Sequence, residues 1–212
     1  MARSTYDNHF RGVVGDKVHY KRKGKYFARM RRDEINVSTT EDSLTSRLKL
    51  KSVSTLSAEM KYVTTDTFPH RNKKRSAGNE FTRLNYDCCT VEDVESETVT
   101  FDYDNLTFSK GRLMPPTVSV TFTNESKELS FTAAADTSTN CEGCRSDDKL
   151  MATVVNMKYR IAFIVELGTR GEGGMTTQTL NPMWEKEDLH VYVFAKNASG
   201  TDVSTSLHAT IE

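Results

Sequence analysis

The sequence predicts a mainly β protein with a smaller α/β region on its N-terminal side. Three observations carry this. Seven short segments of strand character recur between residues 117 and 211. Two more segments of period-two alternation flank the glycine at position 24. Apolar residues at near-helical spacing are concentrated in one stretch, 40–64.

The elements follow in chain order. Residues 1–16 contain small and polar residues with Gly12 and Gly15, and read as an arm. Segments 17–22 and 26–31 then flank the turn Lys23-Gly24-Lys25. Val18 and Tyr20 alternate with His19 and Lys21; Tyr26, Ala28 and Met30 alternate with Phe27, Arg29 and Arg31. That pattern predicts a hairpin with a largely cationic exposed face. Ser38-Thr39-Thr40-Glu41 has the form of a capping box, and Asp42 adds charge where a helix dipole favours it. Leu44, Leu48, Val53, Leu56, Met60 and Val63 extend this into one helix over about 40–64. A basic loop, 70–75, leads to a shorter helical stretch near 77–86. Residues 87–97 read as an acidic connector, with strand candidates at 98–103 and 106–109. Pro115-Pro116 marks a boundary.

Beyond the prolines, strand signals fall at 117–122, 128–133, 149–156, 159–166, 175–180, 189–196 and 203–211. Seven strands at this spacing, most separated by polar or glycine-containing segments, predict an immunoglobulin- or fibronectin-III-like β-sandwich. Val191 and Val193 alternate with Tyr192 and Phe194, so that strand is expected to be covered on both faces. Trp184 is expected to plug the sandwich end. The predicted organisation is an arm at 1–16, a hairpin–helix–connector region at 17–114 and a sandwich at 115–212.

The charge balance is informative. The 212 residues carry 29 basic and 29 acidic side chains. Residues 1–86 hold 19 Lys and Arg against 9 Asp and Glu, a balance of +10, and residues 87–212 hold the compensating −10. Such a split calls for an acidic partner to the first half, either nucleic acid or the acidic half of a neighbouring copy. No apolar run reaches the roughly 20 residues of a membrane span, so no membrane partner is expected. The opening residues lack the apolar core of a signal peptide, which predicts folding in a cytoplasm or export by another route.

Candidate chemistry is sparse. Cys141 and Cys144, with Cys88-Cys89, are weak candidates for a zinc site, because adjacent cysteines seldom chelate one tetrahedral ion without strain. Unpaired thiols or a late disulfide are the expectation, with Cys141 and Cys144 as dispensable loop residues. The five histidines are scattered, and His190 reads as a hydrogen-bonded core residue. The glycine-rich stretch 168–174 lacks the Lys-Ser/Thr ending of a phosphate loop and reads as a flexible hairpin loop. No nucleophile elbow or paired carboxylate stands out, so neither an enzyme nor a cofactor is expected.

The basic hairpin is the candidate interaction site. Lys17, Lys21, Arg22, Lys23, Lys25, Arg29, Arg31 and Arg32 are interleaved with Tyr20, Tyr26 and Phe27. Cations beside aromatics suit a nucleic-acid backbone and its bases. They equally suit an acidic protein surface, or remain solvated.

Some motifs extend over nearly the whole chain. Gly15-Asp16-Lys17-Val18 followed by Gly24-Lys25-Tyr26-Phe27-Ala28-Arg29 is one, and Asn105-Leu106-Thr107-Phe108-Ser109-Lys110-Gly111 is another. Asp148-Lys149, Val155-Asn156, Thr169-Arg170, His190-Val191-Tyr192-Val193-Phe194 and Gly200…Val203-Ser204…Ser206 follow in order. Together they resemble an uncharacterised protein family of Bacteroidota and their phages. The four cysteines and the acidic connector depart from it. The resemblance implies a basic N-terminal region, a helix and an Ig-like module, and gives no catalytic residues. The expected function is therefore a non-enzymatic structural component of a repeated assembly. A phage virion protein of ring, collar or capsid-associated type, joined to copies of itself and to other virion proteins, fits best. The alternative is a cytoplasmic nucleic-acid-binding protein that uses the hairpin.

Overall fold

The computed structural model describes residues 3–4, 10–31, 39–72, 74–136 and 143–212. They form two compact units, Met1–Thr40 and Glu41–Glu212. The described residues are mainly β, with three α-helices.

The first unit is one antiparallel sheet in the order β1 (Arg3–Ser4), β2 (Phe10–Val14), β3 (Lys17–Arg22), β4 (Lys25–Met30). The arm expected over 1–16 is thus partly strand. The β-branched Val13 and Val14 pair with Val18 and Lys17 across a turn that Gly15 enters at φ +55°.

The second unit opens with α1 (Glu41–Glu59), α2 (Lys61–Thr67) and α3 (Ala77–Asn85). The single helix expected over 40–64 is therefore two. The break falls at Met60, with φ −87° and ψ 15°. Met60, Val63 and Phe68 are all buried in one core, and the break lets each of them reach it. Threonine hydroxyls take up backbone carbonyls in α2, Thr65 donating to Lys61 at 2.8 Å. Because α1 opens at Glu41, that residue is not the third helical position a capping box requires. Ser38 lies outside the described residues. Helix α3 is capped as its sequence allows, with Ser76 Oγ accepting from the Asn79 amide at 3.1 Å.

The acidic connector is a hairpin. Strand β5 (Cys89–Asp93) pairs with β6 (Thr98–Phe101), and the acids lie on its exposed positions and turn. The strand expected at 98–103 ends at Phe101 and passes into a 3-10 turn, Tyr103–Asn105. The strand expected at 106–109 is absent. Leu106, Phe108 and Ser109 are buried there in extended chain that side chains hold. The Thr107 amide donates to Asn85 Oδ1 at 2.6 Å, and Asn85 Nδ2 donates back to the Thr107 carbonyl at 2.9 Å. The Phe108 amide donates to Ser206 Oγ at 2.9 Å, and Ser109 Oγ donates to the Ser204 carbonyl at 2.7 Å.

Each of the seven expected segments overlaps a strand: β7 (Val118–Thr123), β8 (Glu128–Ala133), β9 (Lys149–Asn156), β10 (Ile161–Thr169), β11 (Gly174–Thr179), β12 (Leu189–Lys196) and β13 (Leu207–Ala209). They form two antiparallel sheets, β11-β8-β7 and β10-β9-β12-β13. Val120, Leu129 and Phe131 of the first sheet share a core with Leu150, Ala152, Val154, Val191 and Val193 of the second. Trp184 is buried in the same core, 6.1 Å from the Phe163 ring. The opposite side of the four-stranded sheet sends Val155 and Tyr192 into a second core with Val53, Leu56, Phe68, Phe81 and Phe108. One sheet thus serves two cores, and the expected boundary at 114/115 falls inside the second unit. Gly111 permits a close crossing, since a Cβ there would lie 1.9 Å from the Val203 carbonyl oxygen. The stretch expected as a flexible loop at 168–174 is an anchored corner. Arg170 within it is 4% exposed, and a Cβ on Gly173 would lie 2.5 Å from the Ala135 nitrogen.

Replacing Asn85 with Ala removes both hydrogen bonds to Thr107 and strands its amide and carbonyl. The expected loss is about 2–3 kcal/mol in urea unfolding. A second expectation concerns Glu80, which is 8% exposed. Hydrogen bonds from Arg83 first, and then Arg75, hold its carboxyl below the usual range. A depressed carboxylate stabilises the fold at neutral pH, and that contribution is lost as pH falls through its folded value. Glu80→Gln should therefore destabilise the protein more at pH 7 than at pH 3, as measured by denaturant unfolding at each pH.

Candidate functional site

The N-terminal sheet is built from short turns. Lys23 and Gly24 both take positive φ, 49° and 79°, as a two-residue hairpin turn requires. The register that follows pairs Tyr20 with Phe27, Lys21 with Tyr26 and Arg22 with Lys25. Side chains alternate between faces along a strand, and paired residues share a face. One face therefore carries Arg11, Val13, Val18, Tyr20, Arg22, Lys25, Phe27 and Arg29. The other carries Val14, Lys17, His19, Lys21, Tyr26, Ala28 and Met30.

The expected site residues consequently do not make one patch. Tyr20 stacks on Phe27, with ring centroids 5.7 Å apart, and Arg22, Lys25 and Arg29 share that face. Tyr26 is on the opposite face, where the Lys21 ammonium lies 4.9 Å from its ring centroid. Lys17 is on Tyr26's face, Lys23 is at the turn, and Arg31 follows the last strand. Arg32 lies outside the described residues. Arg11 joins the Tyr20 face although its sequence context reads as an arm. No described side chain at 11–31 is buried, and Val13, Val14, Tyr20, Phe27 and Met30 are exposed.

The described thiols do not converge. Cys89 is fully buried in the core shared with the helices, and burial raises its pKa, as it does for Cys88. Cys144 lies elsewhere, 2% exposed, its Sγ 3.5 Å from Asp136 Oδ2. The expectation that Cys144 sits in a loop off the core is corrected: it is buried, and the Met114 amide donates to the Gly143 carbonyl beside it. Cys141 lies outside the described residues. Among the described residues, no three His, Cys, Asp or Glu side chains are placed to hold a metal ion together.

Two features were not visible in the sequence. A cavity of about 330 Å³ is lined by Met114, Pro116, Asp136 and Arg170. Its arginine is engaged: it donates to the Met114 carbonyl at 2.5 Å and pairs with Asp136 and with the fully buried Asp148. The second feature joins histidines expected to be scattered. His190 Nδ1 lies 3.4 Å from His208 Nε2, and His208 Nδ1 lies 2.8 Å from Asp104 Oδ1. The Tyr103 ring stacks on His190 at 4.1 Å. Burial first, and then His208, lowers the His190 pKa. The pairing needs the register of β12 against β13, Tyr192 opposite His208, which no local spacing encodes.

No protein-family model, curated protein or solved structure matches the chain. Among the described residues, no helix is long and apolar enough to cross a membrane.

Cys144→Ser should cost about 1–2 kcal/mol in urea unfolding, against the near-zero effect of an exposed loop substitution, because a buried position takes a polar group.

Proposed function

We propose that the chain is a non-enzymatic structural component of a repeated assembly, joined copy to copy by its N-terminal sheet. One observation carries this reading: a four-stranded sheet in which no side chain at 11–31 is buried. Small sheets open on both faces gain little from burial and call for cover. Met1–Thr40 holds 10 Lys and Arg against 4 Asp and Glu, a balance of +6, so the cover should be acidic. The β5–β6 hairpin of a neighbouring copy supplies such a surface, with Glu92, Asp93, Glu95 and Glu97 exposed. A head-to-tail contact of this kind closes into a ring or runs on as a filament.

The strand order supports an immunoglobulin- or fibronectin-III-like module. Named A to G in chain order, the seven strands form sheets E-B-A and D-C-F-G. That order departs from the immunoglobulin one only in setting strand D beside C, and this likeness supports the reading. The virion setting rests on the sequence resemblance to proteins of Bacteroidota and their phages, and on the use of such modules in particles assembled in a host cytoplasm.

The stacked Tyr20–Phe27 pair among Arg22, Lys25 and Arg29 favours one second reading, single-stranded nucleic acid. A charge swap separates the two. In nuclease-treated protein, Arg22, Lys25 and Arg29→Glu should abolish self-association seen by sedimentation at low salt. Adding Glu92→Lys and Glu95→Lys should restore it. Under the nucleic-acid reading, Tyr20→Ala with Phe27→Ala lowers single-stranded DNA affinity at least about ten-fold, and the swap restores nothing. A wild-type protein that stays monomeric at high concentration and low salt overturns the assembly reading.

A further inference from the structure

We propose that His190 and His208 form a two-histidine site for a first-row divalent transition-metal ion, with water completing its coordination. The spacing of the two rings is that of a chelate. Two imidazole nitrogens bound at about 2.0–2.1 Å to one tetrahedral ion lie roughly 3.4 Å apart. His190 Nδ1 and His208 Nε2 stand 3.4 Å apart.

The surroundings prepare both rings. Asp104 accepts from His208 Nδ1–H at 2.8 Å, which fixes the tautomer and leaves Nε2, the nitrogen nearer His190, with its lone pair available. A carboxylate behind a histidine is the usual support of a metal-binding imidazole. His190 is held by its place in β12 between the buried Leu189 and Val191, and by the Tyr103 ring at 4.1 Å. Tyr103 is itself fixed, since the Tyr192 hydroxyl donates to its carbonyl at 2.8 Å. His208 stands opposite Tyr192 in the β12–β13 register, so both ligands come from one rigid sheet.

Access is open on one side. A cavity of about 380 Å³ is lined by Lys186, Glu187, His190, His208 and Thr210 among others, with room for water ligands. Two imidazoles at a tetrahedral spacing, with water, suit Zn²⁺ better than the oxygen-seeking Mg²⁺ or Ca²⁺, and Ni²⁺, which shares the preference for imidazole, binds after a small adjustment of the rings. To bind, neutral His190 carries its proton on Nε2 and offers Nδ1. With two protein ligands the ion exchanges readily. The competing account is a single proton shared between the rings.

The test is calorimetric titration of untagged, chelator-stripped protein with NiCl₂ and ZnCl₂, together with NMR of the histidine rings. One saturable site is expected, with the His190 and His208 ring signals perturbed first. His208→Gln and His190→Gln should each weaken binding at least about ten-fold, and Asp104→Asn by about ten-fold. His70→Gln, at the separate pair with Asp202, should change nothing. Absence of saturable binding in the wild type, or binding that survives His208→Gln, overturns the site. The NMR on the wild type decides the matter even if a variant fails to fold.

Discussion

The second unit depends on a sheet that is apolar on both faces. In β12 the odd-numbered side chains Leu189, Val191, Val193 and Ala195 enter the core between the sheets. Tyr192 enters the core beneath the helices, and Phe194, on the same face, is 1% exposed. Tyr192 is fully buried, yet its hydroxyl keeps a partner in the Tyr103 carbonyl. An aromatic ring contributes a large apolar area to such a core, and its polar tip must be satisfied there. Strip the second face of its cover and that tyrosine, Val155 and Phe108 would meet water together. The helices and the 89–109 region are thus part of the same cooperative structure as the sandwich.

The joint between the layers is made by side chains. Asn85, at the end of α3, bonds both polar groups of Thr107. Ser206 serves the next amide, and Ser109 serves the carbonyl of Ser204. Extended chain buried without a neighbouring strand would otherwise leave its amides unpaired, at a cost of about 1–3 kcal/mol each. Gly111 then lets the chain pass Val203 at a distance no other residue allows.

Much of this was legible in the sequence, and the failures have definite causes. The seven strands were readable because alternating apolar residues and polar turns mark half-buried strands directly. The 106–109 segment has the same alternation, Leu106 and Phe108 inward, but its bonds come from Asn85 and Ser206, which lie far off in the chain. The β5–β6 hairpin was concealed because acids occupy its exposed positions, leaving Cys89 and Val91 as a thin apolar signal. The basic hairpin shows how one residue decides a surface. Read as a three-residue turn, 23–25 places Tyr20 and Tyr26 on the same face. The turn is two residues, 23–24, and that single slip sends them to opposite faces and sets Phe27 beside Tyr20. The histidine pair depended on strand register across a ten-residue connection, 197–206, which no local pattern reveals.

The serine clamp also bears on the order of synthesis. Ser206 lies 98 positions after Phe108, whose amide it holds. On the ribosome, Phe108 and the helices that cover it emerge well before their seal. The nascent chain must wait with this seam open until the β12–β13 region clears the exit tunnel, exposing apolar surface of the kind that chaperones bind.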